Sequence, residues 1–454
     1  MEIVGQILIY LFLLSMLLIG LYHSRKATLD SYTAESNKIS SFSLISTLVG
    51  TSFGGGVIVG MVTMGYEAGV VGHIVGLSYL IGFIVLALMA RRIKDALNEI
   101  DGTLLDYINY KYGFSLARIT AIVFSLVLFL FLSAQFVAFA SFLSFFFSVG
   151  FEIAIVLGAL FLILYTTIGG FKSVIITDFF QFILLIITSV LILSPIFDGK
   201  TIQLLSSLPS EYLNGTGYGI VFLIGAALFL WPTLLARPDI WQRIRAAKNV
   251  KTARISLVMS GIIIFAVFSL FSTVGMVARA SLTKYNAETV VFSFINDTLP
   301  VYGVYICFLA IIAAVMSSAD SILNVLAQTS YDSIFRDKKI RQNQDSQRLK
   351  ALRVTTFFVG IIAVIIAFVF PNIVDLNIGG ISTLLVFVMP ILAALFAWRT
   401  SKKWVSISII AGTVVIVVLF PLYPKMAFVP GLLISLLIFL LAKTVHNRGQ
   451  YDSR

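Results

Sequence analysis

Long apolar runs recur along the whole chain and are separated by short polar segments. A helix needs about 20 apolar residues to cross the roughly 30 Å hydrocarbon core of a bilayer, and most of the runs reach that length. An odd number of crossings would put the two termini on opposite sides. The pattern predicts thirteen spans, at residues 3–22, 40–65, 70–90, 119–148, 150–168, 173–195, 219–236, 255–278, 301–327, 352–371, 376–398, 403–421 and 426–443.

The composition agrees with burial in a lipid bilayer. Hydrophobic residues make up 59% of the chain and charged residues 12%, about half of the roughly 25% charged residues of a soluble domain. Apolar runs of this length are helices, because strands in a membrane barrel are about half as long. The sequence therefore predicts an all-α membrane protein.

The formal net charge of +11 raises the question of a nucleic-acid partner. If the N-terminus is outside, 28 of the 32 Lys and Arg residues fall in inner segments, which is the asymmetry that membrane topology produces. The outer loops then keep Lys200, Arg279, Lys284 and Lys425. The charge therefore indicates topology, with the N-terminus outside and the C-terminus in the cytoplasm, and no nucleic-acid partner is expected.

Three consecutive glycines, Gly54, Gly55 and Gly56, interrupt the second span. Each costs a helix about 1 kcal/mol relative to alanine, so the helix is weak there. A half-unwound span exposes carbonyl oxygens that an ion near the midplane can satisfy, as in many transporters. The alternative is close packing of helices through small residues. Spacing alone leaves both interpretations open.

The ninth span contains three hydroxyls and a carboxylate within five residues: Ser317, Ser318, Asp320 and Ser321. Ser317 shares a helix face with Asp320 and Ser321, and Ala314 lies on the face of Ser317 and Ser318. Ligands that are all oxygen, with little formal charge, suit a hard monovalent cation, sodium or a proton. The alternatives are serines bonded to their own helix and an interhelical hydrogen bond from the aspartate.

A second intramembrane carboxylate, Asp178, lies a few residues into the sixth span. Such residues are costly in lipid, face the protein interior and mark functional sites. The alternative for Asp178 is a helix cap or a favourable interaction with the helix dipole.

Three segments resemble the sodium:solute symporter family: GTSFGGGVIVG at 50–60, GGFKSVIITDFFQ at 169–181 and AAVMSSADSILN at 313–324, with weaker agreement from PDIWQRIRAAKN at 238–249. The resemblance covers nearly the whole chain. It implies a ten-helix core of two five-helix inverted repeats over residues 40–400, with broken first and sixth core helices. The flanking parts are then residues 1–39, a peripheral pair of helices at 401–443 and a cytoplasmic tail at 444–454.

The resemblance also implies ion-binding residues. The first sodium site would use backbone carbonyls and two hydroxyls, at Gly50, Phe53, Ala314, Ser317 and Ser318. A second site, found in some members, would fall on Asp178, Ser317, Asp320 and Ser321. Those members carry Ser or Thr where this chain has Asp320, so the second site is expected to take either sodium or a proton.

The same resemblance puts the solute beside the glycine cluster and against the third, fourth and seventh spans. The candidates are Gly54, Gly55, Val57, His73, Gln135, Trp231, Thr233 and Arg237. Packing is the favoured explanation for His73 and inner-loop topology for Arg237, although a guanidinium also suits a carboxylate. Val57 stands where sugar-binding relatives have polar or aromatic residues, so an amino acid or a carboxylate is favoured over a hexose.

These observations predict sodium-coupled symport of a small polar organic solute by alternating access, in a monomer or weak homo-oligomer of a prokaryotic plasma membrane. A membrane-embedded lipid enzyme would need clustered His, Asp, Glu or Cys near one interface. The chain has three histidines, far apart in sequence, and one cysteine. A sensor or channel on the same fold is the remaining alternative.

Overall fold

The computed structural model describes residues 3–24, 39–52, 54–100, 102–196, 199–281, 287, 289–335 and 345–451. Within these ranges, only the backbone is described at residues 3, 20, 23–24, 168–178, 194–195, 199–202, 332–335, 345–346 and 442–451. Phe53 therefore lies outside the described residues, and Asp178 is described by its backbone alone.

The described residues form eighteen α-helices. In chain order they are α1 Ile3–Ser24, α2 Ser41–Ser52, α3 Gly55–Ala68, α4 Val71–Ile100, α5 Leu104–Tyr112, α6 Phe114–Phe147, α7 Phe151–Ile196, α8 Gly199–Ser206, α9 Ser210–Asn214, α10 Ile220–Thr233, α11 Pro238–Ala246, α12 Val250–Ser281, α13 Val290–Thr298, α14 Val301–Phe335, α15 Asp345–Val369, α16 Ile373–Leu395, α17 Lys402–Leu419 and α18 Phe428–Tyr451.

Seven helices within the described residues are long and apolar enough to cross a bilayer, and nine if each of two bent pairs is one crossing. Shorter apolar stretches at Val4–Ile19, Phe151–Thr167, Phe179–Leu193 and Phe428–Leu441 coincide with four more of the runs found in the sequence. The structure thus has helices wherever spans were predicted, and the count of thirteen stays a prediction.

The connection between two of the predicted spans is helical. The sequence separated spans at 150–168 and 173–195, whereas the backbone is helical without interruption from Phe151 to Ile196. The glycine pair at 169–170 weakens a helix but, unlike proline, leaves its amide donors in place. The two apolar runs therefore belong to a single helical element, α7.

Two crossings are broken, as the resemblance implied for the first and sixth core helices. Helices α2 and α3 meet at 56°, and α10, extended by a 3-10 turn at Leu234–Ala236, meets α11 at 55°. At the first break Gly54 has an extended backbone, with φ −74° and ψ 166°. At the second, Pro238 opens α11 and restricts Arg237 to an extended conformation, so the preceding helix ends there.

The helix with the polar cluster lies at the centre of the bundle. Of the most apolar stretch of α14, 89% is buried, against 33% of that of α17. Helix α14 packs on α6 and α7 and touches both α2 and α3. A helix enclosed in this way meets protein rather than lipid on all sides, which lets it carry polar side chains at membrane depth.

The two ends of the bundle differ in charge. Helix α2 begins and α11 ends at the same end, where Ile39 and Ala247 form an isolated parallel bridge; we call this the basic end because Lys94 and Lys248 lie there. We call the opposite end, where α3 ends and α10 begins, the far end. The breaks lie between the two ends.

Candidate functional site

Ser318 joins the central helix to the break in the first broken crossing. Its hydroxyl donates to the carbonyl oxygens of Gly50 at 3.1 Å and Thr51 at 3.2 Å. These carbonyls belong to the last turn of α2, where no intrahelical donor remains for them. Oxygens from two distant parts of the chain therefore meet at the break, and Ser318 is only 1% exposed.

The glycine cluster allows this contact. A Cβ atom on Gly54 would run into the Ser318 hydroxyl and lie 2.6 Å from the Gln135 side-chain oxygen, and one on Gly55 would run into Val315. The two interpretations of the glycines are therefore compatible, because the helix is interrupted and its neighbours also pack directly on the backbone. Any larger residue at Gly54 would push α14 away from α2.

Gln135 holds the start of α3. The Gly56 amide donates to its side-chain oxygen at 3.0 Å, and Gln135 is 2% exposed. The first amides of a helix lack partners within the helix, so this bond supplies one of them. Gln135 thus connects α6 to the glycine break.

The other expected ion ligands within the described residues cluster around Ser318. Ala314, Ser317, Asp320 and Ser321 are all buried on α14. The Ser321 hydroxyl accepts a hydrogen bond from Thr51 Oγ1 at 3.3 Å. Polar oxygens therefore continue from the break toward the basic end.

Arg243 of α11 lies at this cluster, and sequence reasoning missed it. Its guanidinium donates to Ser321 at 3.1 Å, to Thr47 at 3.1 Å, to the Asp239 carbonyl at 3.1 Å and to Thr51. Arg243 is 1% exposed, although the sequence counted it as one more basic residue of an inner segment. Its position in PDIWQRIRAAKN, inside a segment that resembles the family, was the signal that could have found it.

A cavity lies between the two broken crossings, toward the far end, and is bounded also by α4, α6 and α16. Most of its wall is apolar, including Met61, Met64, Phe131, Phe229 and Phe428, and its polar groups include Ser52, Tyr79, Gln135, Arg237, Asn377 and Ser382. Of the predicted solute residues, Val57, Gln135 and Arg237 line it. Among the described residues, Gly54, Gly55, His73, Trp231 and Thr233 do not.

Arg237 and Asp239 form a buried ion pair at the cavity. The guanidinium makes two bonds to the carboxylate, from Nε at 3.0 Å and from Nη2 at 2.6 Å. Such a two-point pair neutralises both charges and holds them rigidly. Arg237 therefore brings a cation together with its counter-ion to the cavity wall.

Two other candidates for solute binding, His73 and Thr233, contact other residues of the protein. The His73 Nε2 lies 3.1 Å from the Thr273 hydroxyl, which ties α4 to α12. The Thr233 hydroxyl donates to the Leu230 carbonyl at 2.6 Å. Both contacts favour packing roles. Trp231 is half-buried on α10.

A polar cluster covers the far end. Tyr218 donates to the Glu67 carboxylate, and the Lys425 ammonium lies 3.8 Å from that carboxylate and 3.8 Å from the centre of the Tyr218 ring. Burial, together with the neighbouring Glu67 carboxylate, raises the pKa of Tyr218, so the phenol stays protonated and remains a donor. The cluster joins the ends of α3 and α10 to the loop between α17 and α18.

The model of one protein family matches this chain over residues 32–412, and its description is sodium:solute symporter family. The chain belongs to this family. The match includes both broken crossings, the whole of α14 and every residue of the cavity lining except Phe428. The protein is therefore a multi-pass membrane protein of a transporter family.

Relatives agree with this assignment. The chain is 26% identical to the high-affinity proline transporter PutP of Bacillus subtilis (strain 168), over 56% of each chain. The chain thus matches about half the length of that curated relative.

Two solved structures share the fold. One is a Na+-coupled sialic acid symporter in a substrate-bound, outward-open state, with a TM-score of 0.79, 18% identity and 98% of both chains covered. The other is MhsT in complex with L-phenylalanine, with a TM-score of 0.60, 15% identity and coverage of 90% of this chain and 100% of that one. The fold class predicted from the sequence is confirmed.

Proposed function

We propose that this symporter couples inward sodium movement to the uptake of a small polar organic solute, with an amino acid or a carboxylate favoured, by alternating access. The observation that carries the proposal is the contact of the Ser318 hydroxyl with the Gly50 and Thr51 carbonyls across the helix break. The contact brings a hydroxyl oxygen of the central helix α14 and two backbone oxygens of α2 close enough together for one ion to bind them all.

The chemistry of these oxygens suits sodium. The carbonyls belong to the C-terminal end of α2, which carries the negative end of the helix dipole. A hydroxyl that now donates to a carbonyl can rotate and offer a lone pair to a cation. The first site would comprise Gly50, Phe53, Ala314, Ser317 and Ser318.

The second site would use Asp178, Ser317, Asp320 and Ser321. Within the described side chains of this set, Ser317, Asp320 and Ser321 are at most 2% exposed, so a cation there would be shielded from water. A carboxylate at Asp320 suits either a sodium ion or a proton.

The cavity supports a solute with a charged or polar head and an apolar body. The N-terminus of α3, with its partial positive charge, lies beside the cavity wall and favours a carboxylate. The Arg237 guanidinium, held by Asp239, lies at the cavity wall and suits a solute carboxylate, while Met61, Phe131 and Phe229 suit an apolar part. The proline transporter and the L-phenylalanine complex among the relatives support an amino acid.

Sodium binding and solute binding would be coupled because both would occur at the break between α2 and α3. Sodium would join α2 and α14, and the solute would bind α3 on the other side of Gly54. Each ligand would then order the helix that the other needs, and the two affinities must rise by the same factor. We propose residues 40–400 as the transport core, with the N-terminus outside and the basic end in the cytoplasm.

Thermal stability of the purified protein tests the sodium site. Melting is followed in detergent while sodium replaces potassium at constant ionic strength. A ligand that binds only the folded protein stabilises it by about RT ln(1 + [L]/Kd), so a real site gives a saturable, sodium-specific shift. The shift should vanish in Ser318→Ala. Identical curves in the two salts would contradict sodium coupling and point to proton coupling or to a role other than transport.

A further inference from the structure

Arg243 connects three elements at one guanidinium. It extends from α11, the second half of the second broken crossing, to Thr47 and Thr51 on α2 and to Ser321 on α14. Thr51 also supplies a carbonyl to Ser318. The arginine therefore touches the same short segments that form the proposed ion sites.

The arginine lies on the basic-end side of the break. Ser321 is one helical turn beyond Ser318, and Thr47 is one turn before Thr51 along α2. With the basic end in the cytoplasm, the guanidinium lies between the first sodium site and the interior of the cell. An ion leaving Ser318 inward would meet it directly.

The rest of α11 is fastened at the same end. The Lys94 ammonium donates to the Ala247 carbonyl at 2.6 Å, just past the end of the helix. It also donates to the Arg245 carbonyl at 3.2 Å, within the last turn. The Ile39 amide donates to the Ala246 carbonyl at 3.0 Å. These bonds hold the end of α11 closed against α4 and against the segment that leads into α2.

We propose that Arg243 is the inner gate of the sodium path: its guanidinium holds α11 against α2 and α14 while the inside is closed, and it must leave Ser321 and Thr51 before an ion passes inward. The proposal rests on the proposed function, which supplies the ion and the direction. It adds a residue that acts on the ion without being one of its ligands.

Charge and geometry support this role. Oxygens that receive a guanidinium also attract sodium, so the arginine and the ion compete for Ser321 and Thr51. A fixed cation in a low-dielectric path repels another cation strongly. Release of the arginine therefore has to accompany release of the ion, which links movement of α11 to sodium transfer.

Accessibility of an introduced cysteine tests the gate. The native Cys307 is first changed to alanine, and Ala246, which is fully buried at the end of α11, is changed to cysteine. Reaction with a maleimide is timed in detergent and potassium. Arg243→Gln should raise the labelling rate by about tenfold, equivalent to about 1.4 kcal/mol. Arg243→Lys, which keeps the charge but not the fork, should give an intermediate rate.

Two controls separate a gate from a general loss of structure. Lys248→Gln removes an exposed cation two residues after the reporter and should leave its rate unchanged. In the background that keeps Cys307, which is buried on α14 toward the far end, Arg243→Gln should not speed labelling. Faster labelling of both positions would mean general loosening and would overturn the proposal.

The gate proposal and the proposed sodium coupling are contradicted by different results. A folded Arg243→Gln protein whose Ala246→Cys labels at the background rate overturns the gate. If that variant does not fold, Thr47→Val, which removes one acceptor and keeps the charge, decides: a severalfold faster rate supports the gate and an unchanged one overturns it. The sodium-specific melting shift of the unmodified protein reports on the proposed function independently of these rates.

Discussion

The amide of Gly56 donates to the side-chain oxygen of Gln135 at 3.0 Å, and this bond ties the start of α3 to α6 at the wall of the cavity. The contact joins the break in the first broken crossing to a helix 79 positions away in sequence. It makes the shape of the cavity depend on one amide side chain.

Gln135→Leu should lower both stability and solute affinity. The change leaves the Gly56 amide buried without its acceptor, which costs about 1–3 kcal/mol. Melting temperature and the concentration dependence of solute uptake measure the two effects. Ser125→Ala removes a different buried hydroxyl of α6, one that contacts Ser330, and should change stability without changing solute affinity. If Gln135→Leu has the same solute affinity as the unmodified protein, the bond between Gly56 and Gln135 does not shape the cavity.

Gly54→Ala should abolish the sodium-specific melting shift. A methyl group there meets the Ser318 hydroxyl and the Gln135 side chain, so α14 must move away from the break. Gly60→Ala on the same helix is the matched control, because its Cβ would find nothing nearer than 3.8 Å, at Ile373. The sodium-specific melting shift should be retained in Gly60→Ala. A normal sodium titration in Gly54→Ala would contradict the ion site at this break.

Asp320→Asn distinguishes a proton from a second sodium. An amide cannot titrate, so if Asp320 carries a proton during transport, the pH dependence of the sodium-specific shift should disappear in the variant. Asp320 is fully buried among the hydroxyls of the proposed ion sites, so a proton there would be shielded from water. The measurement is the sodium titration repeated across pH in both proteins. Parallel pH profiles would exclude the proton role.

Lys425→Gln should lower stability by less than about 1 kcal/mol, since partly exposed ion pairs contribute little. Its side chain is 35% exposed and that of its partner Glu67 is 36% exposed. Melting at low and high salt tests the pair, because salt screens exposed charges. The difference in melting temperature between Lys425→Gln and the unmodified protein should disappear at high salt. Lys403→Gln, an exposed cation of the same helical hairpin, should behave like the unmodified protein at both salt concentrations.

The sequence predicted the features that depend on local chemistry. Hydrophobic runs predicted the helices, and the run of hydroxyls in the ninth span predicted Ser318 as a site residue. Glycines marked the first break because their effect on a helix is local. The second break was implied only by the family resemblance.

The missed features depend on distant contacts. Nothing in the spacing of Arg243 shows that its side chain turns inward to Thr47 and Ser321, because basic residues near a span end are equally explained by topology. The continuous α7 was missed because an apolar run does not reveal whether a glycine pair ends a helix or only weakens it. Arg237 was found, but its partner Asp239 was not, since the pair forms within one turn at an extended residue.

Phe428 belongs to α18, outside the expected ten-helix core, yet it lines the cavity and packs where a side chain on Gly225 would lie. The wall of the cavity is thus shared between the core and α18. If the solute occupies this cavity as proposed, replacing α18 with that of another family member should alter which solutes are accepted. A helix outside the expected core thus contributes to the wall of the cavity.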